Sequence, residues 1–449
     1  MVRKLGLVVF TALTAMFLAC NHSGPKLPAG PEVSPIALDA ALGNKFVKAG
    51  ASNAMVARIG LTARKRSAIA RPPVNLALLV DTSGSMEGRA IADARAASLA
   101  LLASLAPEDR ISVVVFDSKA EVLLPSTKLA DADRKDLEKK IQGMKATGTT
   151  DMAAGLRMAI DEVTRNLQRE GVNRVVLVGD GVPNDDRQVL PLVAQATAQG
   201  ISVTALGLGN DYDETLMGRI AQQSGGRFFY VEDSTKVASF FAEEVTRLHK
   251  VVARHAVLEL HPGPGISVMG VVGRTFSGLE RGVAIQLGDL SLGEQAEVVV
   301  ELASTGAKDG ANVEVLDAVL RYEDGVGGAQ REERIFVGAK STQDVASIAQ
   351  GHVKNVEDAF ARAKDAAATL ERIETQRNIT RNRATPSPSP SPPRRSDLGN
   401  GVTPAPAAAA APAAAAFGKA GSAKPSAADE SPESLRRQHD SAIKNFQAY

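Results

Sequence analysis

The feature that most limits how this chain can fold is a pattern between residues 74 and 248, in which short apolar runs alternate with amphipathic stretches. Residues 76–80 and 175–178 are entirely apolar, which is typical of strands covered by helices on both faces. Strands that alternate with helices indicate parallel pairing with crossover connections. The sequence therefore predicts a doubly wound α/β domain with a mostly parallel sheet over residues 72–248.

Six strands and six helices are predicted in this domain. The strands are residues 74–80, 111–116, 121–124, 174–178, 201–206 and 227–231. The helices are residues 90–105, 131–144, 152–168, 187–199, 214–223 and 235–248. Because ligands of such sheets bind beyond the carboxyl ends of the strands, we expect a binding site in the loops that follow them.

The loop after the first predicted strand carries a pattern of oxygen-bearing residues. It reads Asp81-Thr82-Ser83-Gly84-Ser85. This D-x-S-x-S pattern resembles the metal-ion-dependent adhesion site (MIDAS) of the von Willebrand factor A (VWA) family. Asp and Ser are also favoured N-cap residues, so this loop taken alone is compatible with simple capping of the following helix.

Two later loops extend the resemblance. The sequence GTTD occupies residues 148–151 and VGDG occupies residues 178–181. In the family these loops supply a threonine and a second aspartate. The resemblance therefore implies Thr150, with Thr149 as the alternative, and Asp180 as the remaining ligands. It also implies that the hydroxyl groups touch the ion directly or nearly so, whereas the aspartates act largely through water.

All five implied ligands offer hard oxygen atoms. Carboxylates and hydroxyls suit Mg²⁺, Mn²⁺ or Ca²⁺ rather than zinc or copper. So few protein oxygens leave room for water, which fits Mg²⁺ better than Ca²⁺. An ion held mainly by neutral hydroxyls keeps much of its positive charge. We therefore expect it to bind an anionic oxygen from outside, typically an Asp or Glu side chain of a partner protein.

The residue content argues against an enzyme. None of the six histidines lies within residues 72–248, so a Ser-His-Asp arrangement cannot form there, and no phosphate-binding G-x-x-x-x-G-K-[ST] motif occurs. A net charge of +1 and the absence of tryptophan disfavour nucleic acid as a partner. We expect no catalytic residues and no small-molecule substrate.

The first 20 residues have the order of an export signal. A basic pair precedes an apolar run at residues 5–19, which is shorter than the roughly 20 residues of a membrane-spanning helix. Residues 17–20 read Phe-Leu-Ala-Cys and resemble the lipobox of bacterial lipoproteins, although the first two positions depart from it. The resemblance implies that Cys20 is lipidated and anchors an exported protein to a membrane of the bacterial envelope, facing the periplasm or the cell surface. The alternative is an ordinary signal peptide with an incidental cysteine.

Short strands separated by Gly-rich turns follow the α/β domain and are typical of a β-sandwich. They are residues 257–260, 268–272, 282–287, 296–302, 313–322 and 331–337. Residues 55–61 and 66–70 also suggest strands, but too few to close a sheet alone. We expect residues 36–71 and 249–340 to form one discontinuous sandwich, joined to the signal peptide by a tether at residues 21–35. The alternative is that residues 36–71 wrap the α/β domain.

The C-terminal part is predicted to be a helix at residues 341–380, a Pro/Ala/Ser-rich linker at residues 381–430 and a terminal helix at residues 431–449. The first helix has an apolar seam at Ala349, His352, Val356, Ala359, Ala363, Ala366, Leu370 and Ile373. The terminal helix has a similar seam. We expect the two seams to pack together, or the terminal helix to dock on a partner.

Two functions are compatible with these features. The first is a protein-binding lipoprotein, an adhesion module or scaffold that grips an acidic residue of its partner through the ion. The second is an accessory subunit of an envelope enzyme or ATPase complex, in which the same metal site docks the catalytic subunit.

Overall fold

The structure is a computed structural model that describes residues 34–64, 71–179, 183–208, 213–231, 237–325 and 327–384. Its strands are β1 (Ile36–Leu42), β2 (Phe46–Lys48), β3 (Asn53–Ala63), β4 (Val74–Asp81), β5 (Arg110–Phe116), β6 (Ala120–Lys128), β7 (Val172–Gly179), β8 (Ile201–Leu208), β9 (Phe228–Val231), β10 (Val251–Pro262), β11 (Ile266–Val271), β12 (Ser277–Leu279), β13 (Gly282–Ser291), β14 (Gln295–Ser304), β15 (Asn312–Asp324) and β16 (Gln330–Thr342). Its helices are α1 (Arg89–Ser104), α2 (Arg134–Gln142), α3 (Met152–Arg165), α4 (Val189–Ala198), α5 (Glu214–Ser224), α6 (Val237–Leu248), α7 (Val345–Gln350) and α8 (Lys354–Ala384).

The α/β domain is built on a sheet with the strand order β6-β5-β4-β7-β8-β9. Its strands run parallel, except that β6 at one edge is antiparallel to β5. Every residue of β4, β7 and β8 is buried, because α1, α2 and α6 cover one face of the sheet and α3, α4 and α5 cover the other. The predicted doubly wound α/β fold is confirmed.

Aspartate caps set where three helices begin. Asp133, Asp151 and Asp213 precede α2, α3 and α5, and each side chain accepts a hydrogen bond from the backbone N–H three residues later. At the end of α5, Gly225 takes the left-handed conformation that terminates many helices. These local signals explain why the helices of the domain lie close to their predicted bounds.

The other two sheets form a β-sandwich with strand orders β1-β3-β14-β11 and β12-β13-β10-β15-β16-β2. Strand β3 pairs with β14, and β2 pairs with β16. Strands that precede the α/β domain therefore share sheets with strands that follow it, and the α/β domain is inserted between β3 and β10. Strands β1, β2 and β12 were not expected from the sequence, and the predicted strand at residues 66–70 lies outside the described residues.

Buried charged groups join the α/β domain to the sandwich. Arg174 of β7 donates a hydrogen bond to Asp289 of β13 at 2.7 Å, and both side chains are buried. Glu244 and Arg247 of α6 pair at 2.9 Å, and the Arg247 carbonyl accepts a hydrogen bond from Ser291 at 3.0 Å. Burial opposes ionization of Glu244, but Arg247 and Arg174 outweigh it and lower the pKa of Glu244 to about 2. The buried Arg174–Asp289 ion pair thus crosses the junction, shielded from water.

The structure differs from the single helix predicted for residues 341–380. Strand β16 continues to Thr342, and α7 and α8 follow with a break at Gly351. Asn44, between β1 and β2, donates a hydrogen bond to the Ile348 carbonyl at 2.9 Å and lies where a side chain at position 351 would have to go. The chain at the break therefore contacts a residue far away in the sequence.

The apolar seam of this region also differs in part from the prediction. Ala349 and His352, which precede the second helix, are exposed. The buried seam residues are Val356, Ala359, Ala363 and Ala366. Ala359 and Ala363 pack against valines of the sandwich. The first half of α8 therefore covers a sheet of the sandwich.

Several predictions fall outside the described residues. They concern the signal peptide with Cys20, most of the tether, the side chains of Leu370 and Ile373, the linker beyond Ala384 and the terminal helix. Among the helices that the structure describes, none is long and apolar enough to cross a membrane.

Candidate metal centre

The implied ligand loops lie at one edge of the α/β sheet. Strand β4 lies between β5 and β7, and the helices that follow β4 and precede β7 cover opposite faces of the sheet. Asp81, the last residue of β4, pairs with Phe116 at the end of β5. Neighbouring strands whose connections diverge in this way enclose a crevice at their carboxyl ends, and ligands bind there.

The D-x-S-x-S loop brings two hydroxyl groups together. The Asp81 side chain is fully buried and accepts a hydrogen bond from the Ser83 N–H at 2.8 Å. This bond bends the chain, and the hydroxyl oxygens of Ser83 and Ser85 lie 3.0 Å apart. Because Ser83 is buried and Ser85 is exposed, a ligand can reach the pair from solvent on the Ser85 side.

Helix capping does not account for this loop. Within residues 81–89, all of which are described, Ser83 precedes only a short 3-10 turn (Gly84–Met86), and its hydroxyl makes no capping hydrogen bond. Helix α1 begins at Arg89, after Gly88, and has no side-chain cap. The serine side chains therefore do not cap the helix that follows them.

The Thr150 segment, defined as residues 147–151, lies against the serine loop. The Gly84 N–H donates a hydrogen bond to the Gly148 carbonyl at 3.1 Å, which joins the two loops backbone to backbone. Thr150 is buried, whereas Thr149 is exposed. This difference in burial favours Thr150 over Thr149 as the threonine of the site.

Asp180 itself lies outside the described residues, but residues on both sides of it are described. Gly179, the last residue of β7, lies against Asp81, because a Cβ atom at position 179 would be 2.5 Å from the Asp81 Cβ. The Asn184 N–H donates a hydrogen bond to the Thr150 carbonyl at 3.0 Å. Described residues on either side of Asp180 therefore lie beside two of the implied ligands, Asp81 and Thr150.

A fourth loop, which was not predicted to take part, also contacts the site. Asp117 follows β5 directly, and its carboxylate accepts hydrogen bonds from the Lys119 N–H at 2.9 Å and the Thr147 hydroxyl at 2.8 Å. Burial acts to raise the pKa of Asp117, but hydrogen bonds from Lys119, Thr147 and Ser118 outweigh it, and the pKa is lowered. The sequence signal that points to Asp117 is its position after a buried strand adjacent to the strand that ends in Asp81.

The donor atoms fit a hard divalent cation. Asp81, Ser83, Ser85 and Thr150 offer only oxygen, which Mg²⁺, Mn²⁺ and Ca²⁺ prefer. In the part of the chain that the structure describes, no group of three or more His, Cys, Asp or Glu side chains could hold a metal. A cation at this edge of the sheet would therefore depend on hydroxyl ligands.

Residues 75–243 match the family model of the von Willebrand factor type A domain. The match includes the serine loop, the Thr150 segment and the segment that contains Asp180. The α/β domain, hereafter the VWA domain, thus matches the VWA family model, as its loops predicted.

Solved structures share the fold, and two examples follow. The von Willebrand factor type A protein from Catenulispora acidiphila has a TM-score of 0.64 at 18% identity, over 76% of this chain and 82% of that protein. The ArnB paralog VWA2 from Sulfolobus acidocaldarius has a TM-score of 0.55 at 16% identity, over 78% of this chain and 87% of that protein. Because each likeness covers far more of the chain than the VWA domain, the shared fold includes part of the sandwich.

Curated relatives match at the level of sequence. The uncharacterized protein sll0103 of Synechocystis is 26% identical over 60% of this chain and 66% of its own length. The uncharacterized protein YfbK of Escherichia coli is 26% identical over 56% of this chain and 45% of its own length. The human inter-alpha-trypsin inhibitor heavy chain H4 is 28% identical over 38% of this chain and 20% of its own length. The matched region therefore spans less than two thirds of each relative.

Proposed function

We propose that this chain is a non-enzymatic protein-binding module whose VWA domain grips its partner through one divalent cation. The ion is Mg²⁺, with Mn²⁺ or Ca²⁺ as substitutes. Its ligands are Asp81, Ser83, Ser85, Thr150 and Asp180. The observation that carries the proposal is the 3.0 Å separation of the Ser83 and Ser85 hydroxyl oxygens at a strand-end crevice, in a loop that caps no helix.

The burial of the loop residues supports this role. Asp81 is fully buried and its carboxylate accepts a hydrogen bond from the Ser83 N–H. The negative charge of the loop therefore lies deeper in the protein than its hydroxyl groups. Because Ser85 is exposed, a ligand group from a partner protein can reach the site from solvent. When bound, the ion supplies a positive centre that attracts a carboxylate oxygen from an Asp or Glu side chain of the partner.

The second part of the proposal concerns location. The apolar run and the Phe-Leu-Ala-Cys sequence at residues 17–20 support export and lipidation at Cys20. The VWA domain would then be tethered to a membrane of the bacterial envelope. Replacing Cys20 with Ser is expected to abolish incorporation of labelled palmitate and to move the protein from the membrane fraction to the soluble fraction. Unchanged labelling and fractionation would contradict lipidation.

Partner capture tests the metal-dependent function. The immobilized protein is exposed to envelope extracts in Mg²⁺ and in EDTA, alongside Asp81→Ala and the control Asp185→Ala. Asp185 is an exposed carboxylate whose side chain pairs with Arg187 of its own loop at 2.6 Å. Asp185→Ala removes one negative charge, as Asp81→Ala does. We expect a partner that is retained in Mg²⁺ and lost both in EDTA and with Asp81→Ala. Capture that is independent of metal and equal in Asp81→Ala would overturn the proposal. A captured ATPase or enzyme subunit would favour the accessory-subunit role.

A further inference from the structure

We propose that Asp117 is a positioning residue of the metal site, which fixes the place of Thr150 by holding the Thr150 segment at both ends. The inference rests on the proposed metal-binding function. It adds a fourth loop, between β5 and β6, to the three loops that supply ligands.

Asp117 contacts the segment on each side of Thr150. Its side-chain Oδ2 accepts a hydrogen bond from the Thr147 hydroxyl at 2.8 Å. Its main-chain oxygen accepts a hydrogen bond from the Asp151 N–H at 2.7 Å. Since these two partners are the first and last residues of the segment, a shift of Asp117 is transmitted to Thr150 from both directions.

The same segment is bonded to the serine loop on its other side. The Thr147 N–H donates to the Thr82 carbonyl at 2.7 Å, and the Gly84 N–H donates to the Gly148 carbonyl at 3.1 Å. The segment is therefore clamped between Asp117 and the loop that carries Ser83. The position of the Thr150 segment relative to Ser83 and Ser85 therefore depends on both contacts.

There is little free space on the Asp117 side of the clamp. Gly148 has a φ angle of 69°, and a Cβ atom there would lie 2.8 Å from the Ser118 hydroxyl and 3.4 Å from the Asp117 Cγ. The backbone of the segment thus packs directly against the fourth loop. A glycine is needed both for the left-handed conformation and for this close approach.

The Asp117 carboxylate is itself held in one orientation. Its Oδ1 accepts hydrogen bonds from the Lys119 N–H at 2.9 Å and from the Ser118 hydroxyl at 3.2 Å. Both carboxylate oxygens are therefore engaged within the protein. This arrangement favours a positioning role over direct coordination of the ion.

Residues that orient metal ligands typically change metal affinity by about 10- to 100-fold when they are mutated. We therefore expect Asp117→Ala to weaken Mn²⁺ binding by about tenfold. Asp117→Asn should retain most of the affinity, because its amide can donate to the Thr147 hydroxyl while its oxygen still accepts from Lys119. Thr147→Val should also weaken binding, and the double variant should lose little more than Asp117→Ala alone, because both changes remove the same Thr147–Asp117 hydrogen bond.

The experiment is calorimetric titration of the full chain with Mn²⁺, together with thermal melting in EDTA. Asp185→Ala is the matched control for the loss of one acidic charge and should bind Mn²⁺ as the parent does. Equal melting temperatures in EDTA for Asp117→Ala and Asp117→Asn, with unequal Mn²⁺ affinity, would support positioning.

Parent-like affinity of Asp117→Ala would overturn the inference, as would an Asp117→Asn variant as weak as Asp117→Ala, which would assign the effect to charge. In either case, loss of Mn²⁺ binding by Asp81→Ala would leave the proposed metal function intact. A parent chain that takes up no Mn²⁺ would instead refute the proposed function, and the inference with it.

Discussion

The fully buried carboxylate of Asp109 contacts His249 Nε2 at 3.1 Å. His249 follows α6, the last helix of the VWA domain, and Arg71, just before β4, binds the same carboxylate. Asp109 therefore joins the point where the chain enters the inserted domain to the point where it leaves. The two crossings between sandwich and VWA domain are held together by one side chain.

Replacing Asp109 with Ala should lower the free energy of unfolding of the full chain by about 3 kcal/mol, because it leaves the partly buried Arg71 guanidinium and His249 imidazole without their shared partner. Chemical denaturation at pH 7 measures the change. The control is Glu108→Ala, which removes the more exposed partner of Arg71 and should cost less than about 1 kcal/mol. Equal losses in the two variants would contradict the role of Asp109.

Glu244 should make stability sensitive to acid. Its folded-state pKa of about 2 lies below the ordinary value of 4.5, so its contribution is complete above about pH 4.5 and is lost as the pH falls toward 2. In Glu244→Gln, the free energy of unfolding should be lower at pH 7 and should decline less steeply between pH 4.5 and pH 2. Denaturation at several pH values tests this, with the exposed neighbour Glu243→Gln as control. A Glu244→Gln variant with the parent's pH dependence would speak against the assignment.

Gly179→Ala should damage the metal site. The added Cβ would lie 2.5 Å from the Asp81 Cβ, so we expect a loss of about 1–3 kcal/mol of stability and weaker Mg²⁺ binding. Gly218 of α5 is the matched control, because a Cβ there meets nothing within 4 Å. Gly218→Ala should raise stability by about 0.5–1 kcal/mol, as helix propensity predicts. Thermal melting and metal titration of both variants provide the comparison.

Removal of the metal should destabilize the parent protein selectively. A ligand that binds only the folded state at about 100 times its Kd adds about 2.7 kcal/mol. Melting in Mg²⁺ and in EDTA should therefore differ for the parent and coincide for Asp81→Ala. An equal effect of EDTA on both proteins would place the relevant ion elsewhere.

The VWA fold could be predicted because its signals are local. Strand β4 is apolar over residues 76–80, and the D-x-S-x-S loop follows it directly. Burial on both faces and a strand-end loop are both visible in a short window of sequence. The family resemblance that implies the metal ligands rests on three such short stretches of sequence, which occur in the expected order.

The remaining features depend on contacts between distant parts of the chain. The position of Asp117 after a buried strand is visible in the sequence, but its hydrogen bond to Thr147, 30 residues later, is not. Next to the helix break at Gly351, Asn44 bonds to Ile348 across 304 residues. Such pairs leave no periodic trace in the sequence, because each depends on how the sheets and helices pack.

The insertion of the VWA domain between β3 and β10 has a mechanical consequence. A partner that pulls on the metal edge loads two covalent connections to the sandwich at once, rather than a single linker. The force divides between them and is opposed by the buried Arg174–Asp289 pair at the base of the domain. Under the proposed function, force from a bound partner would thus be borne by both connections in parallel, and the domain would resist being peeled away from one end.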